Sequence, residues 1–305
     1  MRLRFAAHAV RGLARANHGQ GGRHGRNQSP HAILSPHLSG SALSEGPTPV
    51  RDRPVTTTDV LKLVGVVTLL IDHYGLFYRP DETAWRLVGR TAAPIFFFLM
   101  GFARTRSVPW TWLGFGAAIT ALNFAAAKGW QSTTVNILFN FALLRVAVLP
   151  LVDRYVLSRP VPLALLSIAC VLLIPATDEV LEYGTEGWLW AFFGLAHRRA
   201  LENPGLRAEW TRVGLAAIAA LAYIRREIHD YAFDVVQSAV LVMLVGAIVL
   251  ILIRFRRTAL AWQPPAPLAA ALRLCGRHSL EIYAITLLAM QAHTLLFPSG
   301  HGAQG

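Results

Sequence analysis

From about residue 58 to the C-terminus, long apolar runs alternate with short clusters of charge, Pro and Gly. An α-helix needs about 20 apolar residues to cover the hydrocarbon core of a bilayer, at a rise of about 1.5 Å each. The runs predict nine spans, near 58–78, 84–104, 109–128, 134–155, 160–176, 185–201, 210–226, 234–254 and 274–296. Lipid satisfies no backbone polar group, so helices are the economical way to cross it. The expected fold is therefore all-α: a polytopic integral membrane helical bundle with about nine transmembrane helices over residues 54–298. A basic, disordered N-terminal tail over 1–53 and a short C-terminal tail over 299–305 flank it.

Composition agrees: 54% of residues are hydrophobic and only 15% charged, which excludes an ordinary soluble domain. The net charge of +12 invites a nucleic-acid reading, but its excess is divided between the tail and the loops, where it reports topology. No nucleic acid is expected as a partner; membrane lipids are. With a cytoplasmic N-terminus, Arg53, Arg104, Arg106, Arg154, Arg198 and Arg254 fall inside along with most other loop arginines. Only Arg79, Arg86, Lys128, Arg225 and Arg226 fall outside, the bias of a multi-pass protein of the bacterial inner membrane. The acidic connection TDEVLEYGTEG, with Asp178, Glu179, Glu182 and Glu186, lands on the outer side. Trp85, Trp110, Trp112, Trp130, Trp188, Trp190 and Trp210 lie near span ends, as interfacial anchors do. Cys170 and Cys275 read as packing residues, and the five scattered tail histidines give no metal-ligand spacing. The tail lacks a continuous apolar core, so no secretory signal is expected there. A disordered cytoplasmic tail, or a start codon upstream of the native one, accounts for it.

Polar residues inside the runs carry the candidate chemistry, because a charge at a span centre costs about 2.5–3.5 kcal/mol on insertion scales. In LLIDHYG, Asp72 and His73 stand about four-fifths of the way to the outer end of the first span. Arg90, on a second span running the other way, reaches the same depth, and Asn136 opens the fourth span there. Adjacent helix positions diverge by about 100°, so Asp72 and His73 cannot both face one neighbour. One arrangement pairs Asp72 with Arg90 and turns His73 to a cavity as a base, the carboxylate or guanidinium setting its tautomer. In the competing arrangement the Asp72–Arg90 pair only fixes two helices, and His73 lies at the headgroup level. Arg145, within the fourth span, either meets an anionic ligand or pairs with Asp153 and reaches inward. Asp59 and Lys62, three apart, read as a helical ion pair, and Pro94 predicts a kink beside Arg90. Arg277, His278 and Glu281 at the start of the last span read as capping and interface residues.

The motifs LKLVGVVTLLIDHYG, RLVGRTAAPIFFFLMGFARTRS, NILFNFALL, EYGTEGWLWAFFGLA and SLEIYAITLL follow one another across roughly residues 56–298. In that order they resemble the TraX family, membrane proteins associated with acetylation of conjugative pilin. The resemblance implies an N-acetyltransferase with acetyl-CoA as donor, no metal, and the N-terminal amine of a pilin or another surface protein as acceptor. The chain is also similar to the wider group of multi-span acyltransferases, in which a first-helix histidine acts in the outer half of the membrane. On that likeness His73 is the candidate base, with Asp72 and Arg90 as its polar setting. Asn136, Glu186 and Arg145 are the candidate substrate-binding residues. The donor's nucleotide would stay near inward arginines such as Arg104, Arg106 and Arg145, and transfer is either direct or relayed through an acyl-histidine. Two positions depart from the pattern: Asn140 replaces an expected threonine, and Ala284–Thr286 lack a further histidine. Two other classes compete: a proton-coupled transporter using Asp72, His73 and Arg90 as a relay, and a non-catalytic component of pilus or surface-export machinery. The absence of long-range repeats disfavours a transporter of inverted halves.

Overall fold

The computed structural model describes residues 53–126 and 134–297, and the expectations placed on the N-terminal tail, Arg51, Lys128 and Trp130 lie outside them. Ten helices make up the fold: α1 (Thr57–Tyr78), α2 (Thr83–Gly89), α3 (Ala92–Phe102), α4 (Trp110–Ala126), α5 (Ile137–Leu143), α6 (Pro160–Asp178), α7 (Gly184–Glu202), α8 (Leu206–Tyr231), α9 (Val235–Arg254) and α10 (Ala266–Leu296). The helical path of α5 continues through two π-helical stretches, Leu144–Val148 and Val152–Val156, on either side of the turn Leu149–Leu151. Pro150 supplies no backbone donor there, which favours the wider turns around it.

Four helices are long and apolar enough to cross a membrane by length and composition: α1, α6, α9 and α10. The others fall short for local reasons. The α2–α3 rod is broken, and α4 has 17 described residues. Helices α7 and α8 carry Glu186, His197, Arg198, Arg226 and Glu227 within their length. The chain is thus an all-helical membrane protein in which the most polar helices are not the most exposed.

The centre is α3 against α7. Every residue of α3 except Phe102 is buried, including the Phe96–Phe98 run, and most of α7 is buried with it. A helix that is apolar on all sides belongs in the interior. The two backbones meet at glycines: a Cβ on Gly101 would lie 1.8 Å from the Ala191 carbonyl oxygen, and one on Gly194 would lie 2.0 Å from that of Phe98. Small residues let helices approach this closely where hydrophobic attraction between them is weak. Around this pair, α1 packs against α10 and α2, and α8 covers α7.

Three local features differ from the sequence expectation. The second run is not one helix kinked at Pro94; it divides at Arg90–Thr91 into α2 and α3. Proline at 94 has no N–H for the Arg90 carbonyl four residues back, and the Tyr223 hydroxyl donates to that oxygen instead, at 2.6 Å. The last helix begins at Ala266, earlier than the expected 274, and bends at His278 (φ −119°, ψ 26°). Finally, Asp59 and Lys62 do not pair along α1. Asp59 forms the capping box with Thr56 and an ion pair with Arg53 at 2.5 Å, and the Lys62 Nζ donates to the Gly276 carbonyl at 2.6 Å.

Candidate functional site

At the His73 end of the bundle a cavity of about 510 Å³ opens between α1, α2, α5, α8, α10 and the turn that precedes α7. Asp72, His73, Arg90, Asn136, Glu182 and Tyr283 are among its walls. The spacing that separated Asp72 from His73 on paper separates them here. The Asp72 carboxylate faces α2: Arg90 Nε donates to Oδ1 at 3.1 Å, its terminal nitrogen donates to Oδ2, and Arg86 donates to Oδ2 at 2.9 Å. Arg86 also reaches the Asp72 carbonyl at 3.1 Å and the Tyr231 hydroxyl at 2.6 Å. Both guanidinium groups lie 5.2 Å from the centre of the Tyr231 ring, and Glu227 stands 3.7 Å from Arg90. Gly89 permits this approach, since a Cβ there would lie 2.2 Å from that of Asp72. Two cations therefore share one buried carboxylate, with a second acid and an aromatic face behind them.

His73 has a different setting. Its ring makes no hydrogen bond among the described residues, and its Nδ1 is fully buried without a partner. Tyr283 and Phe77 are its ring neighbours, at 5.5 and 6.5 Å between centroids. The expectation that Asp72 or Arg90 sets the tautomer is not met, because the carboxylate is already engaged by two arginines on the other face of α1. A buried nitrogen without a partner is costly in a native protein.

The turn before α7 closes the cavity from the opposite side. Tyr183 (φ 62°) and Gly184 (φ 27°) both adopt left-handed backbone, and a Cβ on Gly184 would come within 2.4 Å of Thr177 Oγ1. The two asparagines of NILFN, four apart on α5, hold this turn from one helix face. Asn140 donates to the carbonyls of Glu182 and Gly184 at 2.9 and 3.3 Å and accepts from the Trp188 indole at 2.8 Å. Asn136 donates to the Glu182 carboxylate at 3.3 Å and to the Tyr283 hydroxyl at 2.8 Å, and the Ile137 N–H donates to the same carboxylate at 3.0 Å. Burial pushes the Glu182 carboxyl above its usual range, and the Ile137 N–H opposes that shift. Asn140, which stands where a threonine was expected, is thus a scaffold for the turn.

Of the six candidate residues, Asp72, His73, Arg90 and Asn136 line one cavity, and Glu186 and Arg145 do not. Glu186 is fully buried behind the wall, accepting from Arg226 at 2.5 Å. Arg145 is nine residues beyond Asn136, a distance of about 13 Å along a helix. It donates to the carbonyl and hydroxyl oxygens of Thr105 at 2.7 and 2.8 Å and stacks over Trp112. Neither Asp153 nor the cavity receives it. Arg86, Glu182, Tyr231 and Tyr283 belong to the site and were not singled out from sequence. Arg86 lies four residues before Arg90 on one helix face, a spacing that signals a shared partner.

An acid held by two cations, an unpaired imidazole and a hydroxyl–amide–carboxylate chain around one cavity define a polar reaction or binding chamber within a membrane bundle. The TraX protein family matches residues 57–264, about two thirds of the chain, and the chain belongs to that family. It is also 43% identical over 44 residues to the uncharacterized protein RP591 of Rickettsia prowazekii (strain Madrid E), a match covering 14% of this chain and 18% of that protein. No solved structure matches the chain.

Proposed function

We propose that this chain is a membrane-embedded acetyltransferase that moves an acetyl group from cytoplasmic acetyl-CoA to an outward-facing acceptor, the N-terminal amine of a pilin or another surface protein. The observation that carries the reading is the unpaired, buried Nδ1 of His73 on the wall of a chamber of about 510 Å³. That volume is within the usual range for small-molecule sites, about 300–1,000 Å³. Family membership adds weight to it. The direction of the protein follows from charge. Arg53, Arg104, Arg198, Arg256 and Arg257 gather at the end opposite His73, which supports a cytoplasmic N-terminus in a bacterial inner membrane.

In this reading His73 takes the proton from the attacking amine, and the nitrogen lone pair adds to the acetyl carbonyl carbon. As the carbon–sulfur bond breaks, the thiolate leaves and takes up a proton. The developing oxyanion needs a donor. Tyr283 suits the task, because its hydroxyl accepts from Asn136 and so keeps its own hydrogen for the chamber. Asp72, held by Arg86 and Arg90, fixes the first two helices and makes no hydrogen bond to the imidazole.

The test is intact-mass analysis of pilins and other surface proteins from a native strain, a deletion strain, and the deletion complemented with His73→Ala. Loss of one acetyl group per subunit in the deletion, unrestored by the variant, is the expected result. Full acetylation by a well-expressed His73→Ala protein removes the histidine from the chemistry, and unchanged masses in the deletion remove the protein acceptor.

A further inference from the structure

The other end of the bundle holds a larger chamber, about 750 Å³, between the start of α1, the ends of α3 and α7, the segment after α9 and the α10 backbone at Gly276. Arg53, Lys62, Arg104, Arg198, Arg256 and Arg257 line it, against only two carboxylates, Asp59 and Glu202. The acids are already engaged. Asp59 carries Arg53 at 2.5 Å, and Glu202 is shared by Arg104, Arg199 and Arg198 at 3.0, 3.3 and 4.0 Å. Arg256 and Arg257 have no carboxylate partner among the described residues. One further donor on the wall is unused: the Thr58 hydroxyl is buried without a hydrogen bond. Cations crowded together this way repel one another unless an anion enters.

We propose that this chamber is a binding site for a diphosphate-bearing ligand. Six basic groups against two acids leave a surplus of four positive charges; a terminal phosphate carries about 1.5–2 negative charges and an esterified one about 1, so two phosphates offset about two to three of them. Arginine forks and a free hydroxyl are the donors that phosphate oxygens accept from. Two sources share the chemistry of two neighbouring phosphates: a soluble nucleotide diphosphate and the head of an anionic lipid that carries two phosphodiesters, as cardiolipin does. The nucleotide source rests on the acetyl-transfer reading, in which the donor's head group carries such a diphosphate. Lys62 in this chamber and His73 in the other stand on one helix, eleven residues or about 16 Å apart.

The experiment is equilibrium binding to the full chain, purified in a neutral detergent, with ADP as the soluble probe and cardiolipin-containing neutral vesicles as the lipid probe. The Arg256→Glu/Arg257→Glu variant reverses the two arginines that no carboxylate holds, and a second variant, Arg104→Ala, keeps the test open if the first elutes as aggregate. Binding of ADP that weakens with salt, and by about tenfold or more in either variant, supports the site with a nucleotide source. Binding of the cardiolipin vesicles alone, with the same dependence on the arginines, supports it with a lipid source. No binding of either probe, or binding that the variants leave unchanged, overturns it. His73→Ala retains binding in either supporting case, so loss of acetylation and loss of binding are separable failures.

Discussion

Asp72→Asn is the most informative single change, because the structure assigns a stability cost to this residue and little to its neighbour. The carboxylate takes donors from Arg86 and Arg90, and all three side chains are about one-tenth exposed. A carboxamide keeps the shape but removes the charge, leaving two guanidinium groups whose remaining ion pair is Glu227, at 3.7 Å from one of them. Breaking a buried pair by removing one partner costs about 3–5 kcal/mol. In a bundle of this size, about 2–4 °C of melting temperature accompany each kcal/mol. The isostere retains an accepting oxygen, so the lower figure applies, and the expected fall is about 6–12 °C. His73→Gln breaks no hydrogen bond and faces a cavity, and should cost under about 1 kcal/mol. The assay is a thermal melt followed by size-exclusion recovery, both variants in one detergent, alongside acetylation in cells. A melt for Asp72→Asn within about 2 °C of the native protein, or a larger loss for His73→Gln than for Asp72→Asn, refutes the division of labour on α1.

Gly184→Ala places a Cβ 2.4 Å from Thr177 Oγ1 in left-handed backbone, so the turn before α7 should lose about 1–3 kcal/mol, and an unshifted melt would show the turn to be otherwise held. Tyr223→Phe leaves the Arg90 carbonyl with no donor, since Pro94 has none to give; a loss of about 1–3 kcal/mol is expected, and a neutral result would mean water reaches that oxygen. For Glu182, a carboxyl raised above 4.5 in the folded state stabilises fully below 4.5 and loses that contribution as pH climbs through the folded value. The melt of the native protein should therefore fall relative to Glu182→Gln as pH rises from about 4.5, the two curves meeting on the acid side, and parallel curves would count against a buried carboxyl.

Helix positions were legible because apolar runs of spanning length leave few alternatives, and each of the nine runs contains helix. What apolar content did not reveal was where those helices stop. Arg207 and Glu209 before the run and Glu227, His229 and Asp230 after it interrupt the apolar pattern, so the expected span is 210–226, yet EIHDY continues the helix and places Glu227 against Arg90. The break at Arg90–Thr91 was hidden for a related reason. Pro94 signals the missing N–H, but whether the chain bends or divides depends on who takes the orphaned carbonyl, and Tyr223 is 133 positions away. Gly276 shows the same dependence, its carbonyl receiving Lys62 from the opposite end of the chain.

The site was legible to the extent that helix phase determines it. The turn of about 100° between neighbours already forbids Asp72 and His73 from sharing a partner, and that one fact separates a carboxylate facing α2 from an imidazole facing the chamber. Phase also contained Arg86, which was read only as an outer-loop charge. Once Asp72 is assigned to Arg90, the residue four before it lies on the same face and must either share the acid or repel its neighbour. The structure takes the first course, and the second cation then explains why an acid bearing no contact to the histidine is needed at all. Without Asp72, Arg86 and Arg90 are two like charges one turn apart at the end of a seven-residue helix. With it they lock α2 onto α1, and Gly89 makes the contact close enough to be tight. The charge cluster that looks catalytic in the sequence is thus largely the clamp, and the side chain that the clamp leaves unbonded is the one the proposed chemistry uses.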